Sequence, residues 1–129
     1  MSQPASALSL TQIGQIALTV HDVPRAVAFY RDTLGMPLLF EMPNMAFFTC
    51  GGIRLLLGLP EKDKPETFSS ILYYKVDDIQ SAFRTLRSRG ANAVNEPHMI
   101  ARMPDHDLWL AEFRDPDNNA FALMSEVKR

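Results

Sequence analysis

Three groups able to move protons fall close together late in this chain: His98, His106 and Glu112. Imidazole titrates near neutral pH, so His98 or His106 at a pocket mouth would act as a proton-transfer group. The competing reading makes Met103-Pro104-Asp105-His106-Asp107 a polar turn that leads into a strand. Glu112 breaks the apolar run formed by Leu108-Trp109-Leu110-Ala111 and Phe113. A charge there either faces solvent, an edge or a dimer interface, or enters a cavity with a partner, because burying it alone is costly. Strand alternation puts it on the face of Leu108 and Leu110, opposite Trp109, Ala111 and Phe113. His21, between Val20 and Asp22, reads as an exposed turn residue. Cys50 is the only cysteine, which excludes an intrachain disulfide. Its sequence neighbours offer no base or cation to activate the thiol, so it reads as a buried structural group.

The elements that must position these groups come in two similar sets. Ile13 to Val20 alternates as a strand, with Ile16, Leu18 and Val20 on one face and Gln15, Ala17 and Thr19 on the other. Asp22 is placed to cap a helix, and Pro24 is tolerated in its first turn. Val23, Ala26, Val27, Tyr30 and Leu34 make one helical stripe, which Gly35 and Pro37 end. Strands follow at Leu38–Glu41, Met45–Cys50 and Ile53–Leu57, with turns at Pro43-Asn44 and Gly51-Gly52. A second set begins at Ser69 or Ser70: a strand to Val76, a cap at Asp78, and a stripe of Ile79, Ala82, Phe83 and Leu86 ending at Gly90. Strands are then expected near Asn92–Asn95, Asp107–Arg114 and Ala120–Glu126.

Val20 and Val76, Asp22 and Asp78, and Ala26 and Ala82 share one offset of 56 residues. Two copies are too few for a solenoid. The pattern predicts one α+β domain over residues 1–129, built of tandem βαβββ modules (13–58 and 69–126) that form a curved mixed sheet around a cavity. The polar, proline-containing stretch 59–68 reads as the linker, and residues 1–9 as a loose tail.

Bulk properties narrow the partners. Hydrophobic residues make up 47% and charged residues 22%, ordinary for a soluble domain. A net charge of −2 gives no electrostatic reason to expect nucleic acid or an anionic membrane. No apolar run approaches the roughly 18 residues that span a bilayer. The opening residues lack the basic and apolar regions of a signal peptide, which implies a cytoplasmic protein.

Four segments together carry a resemblance: Leu18-Thr19-Val20-x-Asp22, Ala28-Phe29-Tyr30-Arg31-Asp32-x-Leu34-Gly35, Val76-Asp77-Asp78 and Arg114-Asp115-Pro116-Asp117-Asn118-Asn119. The combination, covering about Ile13 to Glu126, resembles the vicinal oxygen chelate superfamily of glyoxalases, bleomycin-resistance proteins and extradiol dioxygenases. Metal-using members take ligands from the first and last strand of each module. Mapped onto this chain, those positions are Gln15, Leu56, Ile71 and Ala122. A catalytic divalent site needs about three N, O or S ligands, and three of these four side chains have no donor. The expectation is therefore no metal and no other cofactor.

What remains is an apolar pocket of Gln15, Leu56, Ile71, Tyr73, Ala122 and Met124, with Trp109, Phe47 and Phe48 as added stacking surfaces. The resemblance then implies a bleomycin-resistance-like binder of a small, largely apolar molecule. Its alternative is a lyase, isomerase or dioxygenase using a non-standard metal site, or acid–base chemistry by His98, His106 or Glu112. Relatives of this type often pair, so a homodimer is expected.

Overall fold

Asp22 and Asp78 start the two helices in the same way. Each is extended, and its carboxylate accepts the backbone N–H three residues on: Arg25 at 3.0 Å and Ser81 at 3.1 Å. The computed structural model describes residues 8, 11–60, 62 and 70–129. The expected tail (1–9) and linker (59–68) lie, apart from residues 8, 59, 60 and 62, outside the described residues. Among the described residues, no helix is long and apolar enough to cross a membrane.

The first module contains β1 (Gln15–Thr19), α1 (Val23–Ala28), β2 (Leu38–Met42), β3 (Met45–Cys50) and β4 (Ile53–Gly58). The second contains β5 (Leu72–Lys75), α2 (Ile79–Ser88), β6 (Asn92–Ala93), β7 (His98–Arg102), β8 (His106–Arg114) and β9 (Ala120–Lys128). The strands form two mixed sheets, one per module, rather than one continuous sheet: β1-β4-β3-β2, and β5-β9-β8-β6 with β7 also on β8. In both, the first strand lies parallel to the last, β1 beside β4 and β5 beside β9. The β3–β4 hairpin turns on Gly51 and Gly52, whose φ of +57° and +82° suit a tight two-residue connection.

Two further features depart from the sequence reading. The first helix was expected to run unbroken to Leu34. Instead α1 widens into a π-helical turn over Phe29–Thr33, closed by Leu34 N–H donating to the Phe29 carbonyl at 3.0 Å. Two adjacent residues thereby both reach the interior: Tyr30 packs on Phe48, and Phe29 on Phe121 of the other module. The second departure is β7. Pro97 argues against a strand, and β7 escapes that objection by starting at His98 and pairing only along the edge of β8.

Both helices cover one face of their sheets. Val20, Val23, Ala26, Val27, Tyr30, Phe48 and Leu57 anchor the first core; Ile79, Phe83, Leu86, Phe113 and Phe121 anchor the second. Phe29, Leu34 and Tyr74 pack against both, so the modules share one continuous apolar interior.

The polar tie between modules is the turn from Asp115 to Asn119, with Asn118 left-handed at φ +67°. Asp115 is 4% exposed. Its Oδ1 accepts from the N–H groups of Asp117 (2.9 Å) and Asn119 (2.7 Å). Its Oδ2 accepts from Asn119 Nδ2 (2.9 Å) and from the Tyr30 hydroxyl of the first module (2.8 Å). Asn119 Nδ2 also donates to the Thr19 carbonyl, and Asp117 Oδ1 accepts from His21 N–H at 2.8 Å. His21 is exposed as expected, yet its Nδ1 also lies 3.0 Å from Asp117 Oδ1.

Removing the Asp115 carboxylate strands four donors at a buried junction, so Asp115→Ala should cost more than about 3 kcal/mol in urea unfolding. Tyr30→Phe, which removes one of them, should cost about 1–3 kcal/mol.

Burial, with Asp115 next in effect, holds the Tyr30 phenol far above its ordinary pKa. Burial, then Cys50 and Asp115, raises Tyr74. Both phenols stay neutral in the folded state, while unfolded tyrosine ionises near pH 10. Their contribution to stability is thus complete below pH 10 and is lost as pH rises beyond it. The loss should approach about 1.4 kcal/mol per pH unit for each tyrosine, and Tyr30→Phe should flatten the decline between pH 10 and 11.

Candidate functional site

Each sheet has a face turned away from its helix, and the four slots lie on these open faces. Leu56 is paired directly with Ala17, two residues along β1 from Gln15. Ala122 is paired directly with Tyr73, two residues along β5 from Ile71. The two modules therefore repeat one local arrangement, a first-strand slot set diagonally to a last-strand slot. Around the first pair, Phe47 lies opposite Leu56 and packs in a tilted arrangement on Phe40, ring centres 4.6 Å apart, with the Arg54 guanidinium 5.7 Å from the Phe47 ring. Tyr73 is 52% and Ile71 39% exposed, whereas Ala122 is fully buried.

Phe48 does not join this face. It is fully buried on the helix side against Tyr30, and of the two expected β3 aromatics only Phe47 joins the open face, because alternate residues of β3 point to opposite faces. Trp109 is likewise on the helix side, packed beside the second core. Met124 keeps to the open face, in register with Lys75 and Leu110.

The proton-transfer candidates separate. Glu112 stands directly opposite Ala122, so Tyr73, Ala122 and Glu112 form one row across β5, β9 and β8. His98 pairs with Leu110 in the next row, a diagonal neighbour of Glu112. The His98 Nδ1 lies 2.8 Å from the Glu96 carbonyl, which can only accept. Neutral His98 therefore keeps its Nε2 lone pair free to take a proton. His106 lies opposite Lys128, six residues and thus about 20 Å along β8 from Glu112. Its ring is engaged at 2.7 Å with Asp105, whose carboxyl it holds below the usual range. That pair belongs to the turn entering β8, remote from the slots.

The four slots do not supply the donors of a divalent-ion site. Leu56, Ile71 and Ala122 offer no N, O or S donor, and Gln15 offers one neutral amide. Among the described residues, no group of three or more His, Cys, Asp and Glu side chains gathers in a way that could hold an ion.

A further cleft lies on the opposite side of the sheets. About 510 Å³ in volume, it opens between the modules, with Met36, Cys50, Tyr74, Leu86 and Phe121 among its walls. None of the site residues chosen from the sequence lines it. Cys50 is half-buried at its edge rather than enclosed in the core.

Comparison with known proteins agrees with this architecture. Residues 12–123 match the family model described as Glyoxalase/Bleomycin resistance protein/Dioxygenase superfamily. The uncharacterised protein YraH of Bacillus subtilis (strain 168) is 30% identical over 122 residues, covering 81% of this chain and 91% of YraH. The metallothiol transferase FosB of Staphylococcus saprophyticus is 25% identical over 120 residues, covering 88% of this chain and 76% of FosB. A solved structure of a superfamily member from Sphaerobacter thermophilus superposes with a TM-score of 0.75 at 28% identity, covering 92% of this chain and all of that one. With the duplicated module and its parallel first and last strands, these matches place the chain in the glyoxalase/bleomycin resistance protein/dioxygenase superfamily.

Proposed function

We propose that this protein binds a small, largely apolar molecule on the open faces of its modules, without the divalent ion of metal-using relatives. The observation that supports the reading is the chemistry of the positions to which the resemblance assigns metal ligands: they present Leu56, Ile71, Ala122 and a lone amide at Gln15. Apolar side chains with a few placed polar groups are what such ligands need, and Tyr73 and Gln15 supply those groups. Phe40, Met42, Ile71 and Tyr73 are each more than a third exposed. A second copy of the chain would cover part of that surface, so we take the working form to be a homodimer.

One observation favours an enzymatic second reading. Glu112 stands beside the Ala122 slot with Tyr73 in the same row and His98 diagonal to it, an arrangement able to move protons as a lyase or isomerase requires.

Elemental analysis, and calorimetric titration with Zn, Ni, Mn and Fe(II), should find no stoichiometric metal; one tight ion per chain would overturn the proposal. Compounds that raise the melting temperature in a screen of uncharged aromatic molecules should lose their effect in Ile71→Glu, which puts a charge on the open face. Glu112→Gln should leave their affinity within about twofold, whereas turnover abolished by that change would establish the second reading. Light scattering should give twice the chain mass, reduced toward the monomer in Phe40→Asp.

A further inference from the structure

The repeat makes the helix-side cleft interpretable. Shifting by the repeat offset carries Ala26, Phe29 and Tyr30 onto Ala82, Thr85 and Leu86. In the first module, Phe29 and Tyr30 are covered by the second module, through Phe121 and the Asp115 turn. Their counterparts Thr85 and Leu86, with Ala82, instead line the 510 Å³ cleft. The cause is the reciprocal turn. Where the second module sends the five-residue Asp115–Asn119 turn across to the first helix, the first module has only the Gly51-Gly52 connection. That short turn contributes Cys50 and Gly51 to the cleft wall, and an added Cβ on Gly51 would meet nothing within 4 Å. Leu86 also has no hydroxyl to match that of Tyr30. The pseudo-symmetric equivalent of the clamp is therefore an apolar opening.

Its chemistry is specific in what it excludes. Among the described residues, no charged side chain lines it; the polar side chains there are Thr49, Cys50, Tyr74 and Thr85. A charged occupant would lose its hydration with no counter-charge in return. The Tyr74 ring forms part of the wall, while its hydroxyl is closed to water and has no hydrogen-bond partner among the described residues. The volume lies within the ~300–1,000 Å³ common for small-molecule sites.

We propose that this inter-module cleft is a second small-molecule site, for an uncharged, largely apolar molecule. It is on the other side of the sheets from Gln15, Leu56, Ile71 and Ala122 and does not depend on what binds there.

Cys50 provides a reporter, because it is the only thiol in the chain. The test uses Nile red, an uncharged dye followed by fluorescence, together with N-ethylmaleimide alkylation of Cys50 followed by intact mass. Nile red should bind the wild-type protein and slow alkylation at least about fivefold at saturation. Ala82→Trp, which fills the cleft, should abolish the dye-dependent slowing of Cys50 alkylation, while Ile71→Glu, which can remove only dye held on the open face, should leave that slowing unchanged. Absence of Cys50 protection in the wild-type protein overturns the proposal without reference to any variant. Dye binding that survives Ala82→Trp but is lost in Ile71→Glu also overturns it, and would leave the open-face reading standing.

Discussion

The hydrogen bond from Tyr30 to Asp115 is where the two halves of this molecule become one. A buried carboxylate is tolerable only when its lone pairs are occupied, and Asp115 meets that condition with four donors. Three of the four come from its own turn and fix the turn's shape; the fourth comes from the other module and fixes the turn's position. Once Tyr30 is held there, Phe29 can face Phe121, and an aromatic chain continues through Phe113 to Phe83. The open faces of both sheets are presented as they are because the helix faces are joined in this way.

Much of this architecture was legible in the residues. Capping carboxylates and alternating strands are local signals, and the repeat offset linked them into two modules that the structure contains. What escaped was decided by tertiary contact. A π-helical turn over Phe29–Thr33 leaves no periodicity of its own in so short a helix; it answers a demand that two successive aromatics both be buried. Strand β7 has weak local propensity and exists because β8 offers it an edge. Division into two sheets, rather than one, depends on pairings between remote segments that no local pattern reports.

The candidate site was legible in a similarly uneven way. Assigning slots by position in each module found residues that share an open face, because strand alternation is strict: Gln15 with Leu56, and Ile71 with Ala122. The aromatic choices fared worse. Phe47 and Phe48 are chemically equal neighbours, and only the register of β3 against β4 tells which one faces the core. Glu112 and His98 come from different strands, and their diagonal relation follows from the β7–β8 pairing. The inter-module cleft had a faint sequence signal, since Leu86 stands where the repeat puts Tyr30. Reading it required knowing what Tyr30 touches.

The unequal turns give the pair of modules a mechanical character. A hydrogen-bonded latch fastens them at one of two equivalent places, and at the other there is only a gap. Such a body is stiff about the latched side and compliant about the open one. Whatever fills the gap in the native state acts as a second fastener, and its binding free energy adds to the stability of the whole fold. Duplication supplied two chances to bolt the halves together; this chain uses one as a bolt and keeps the other as a keyhole.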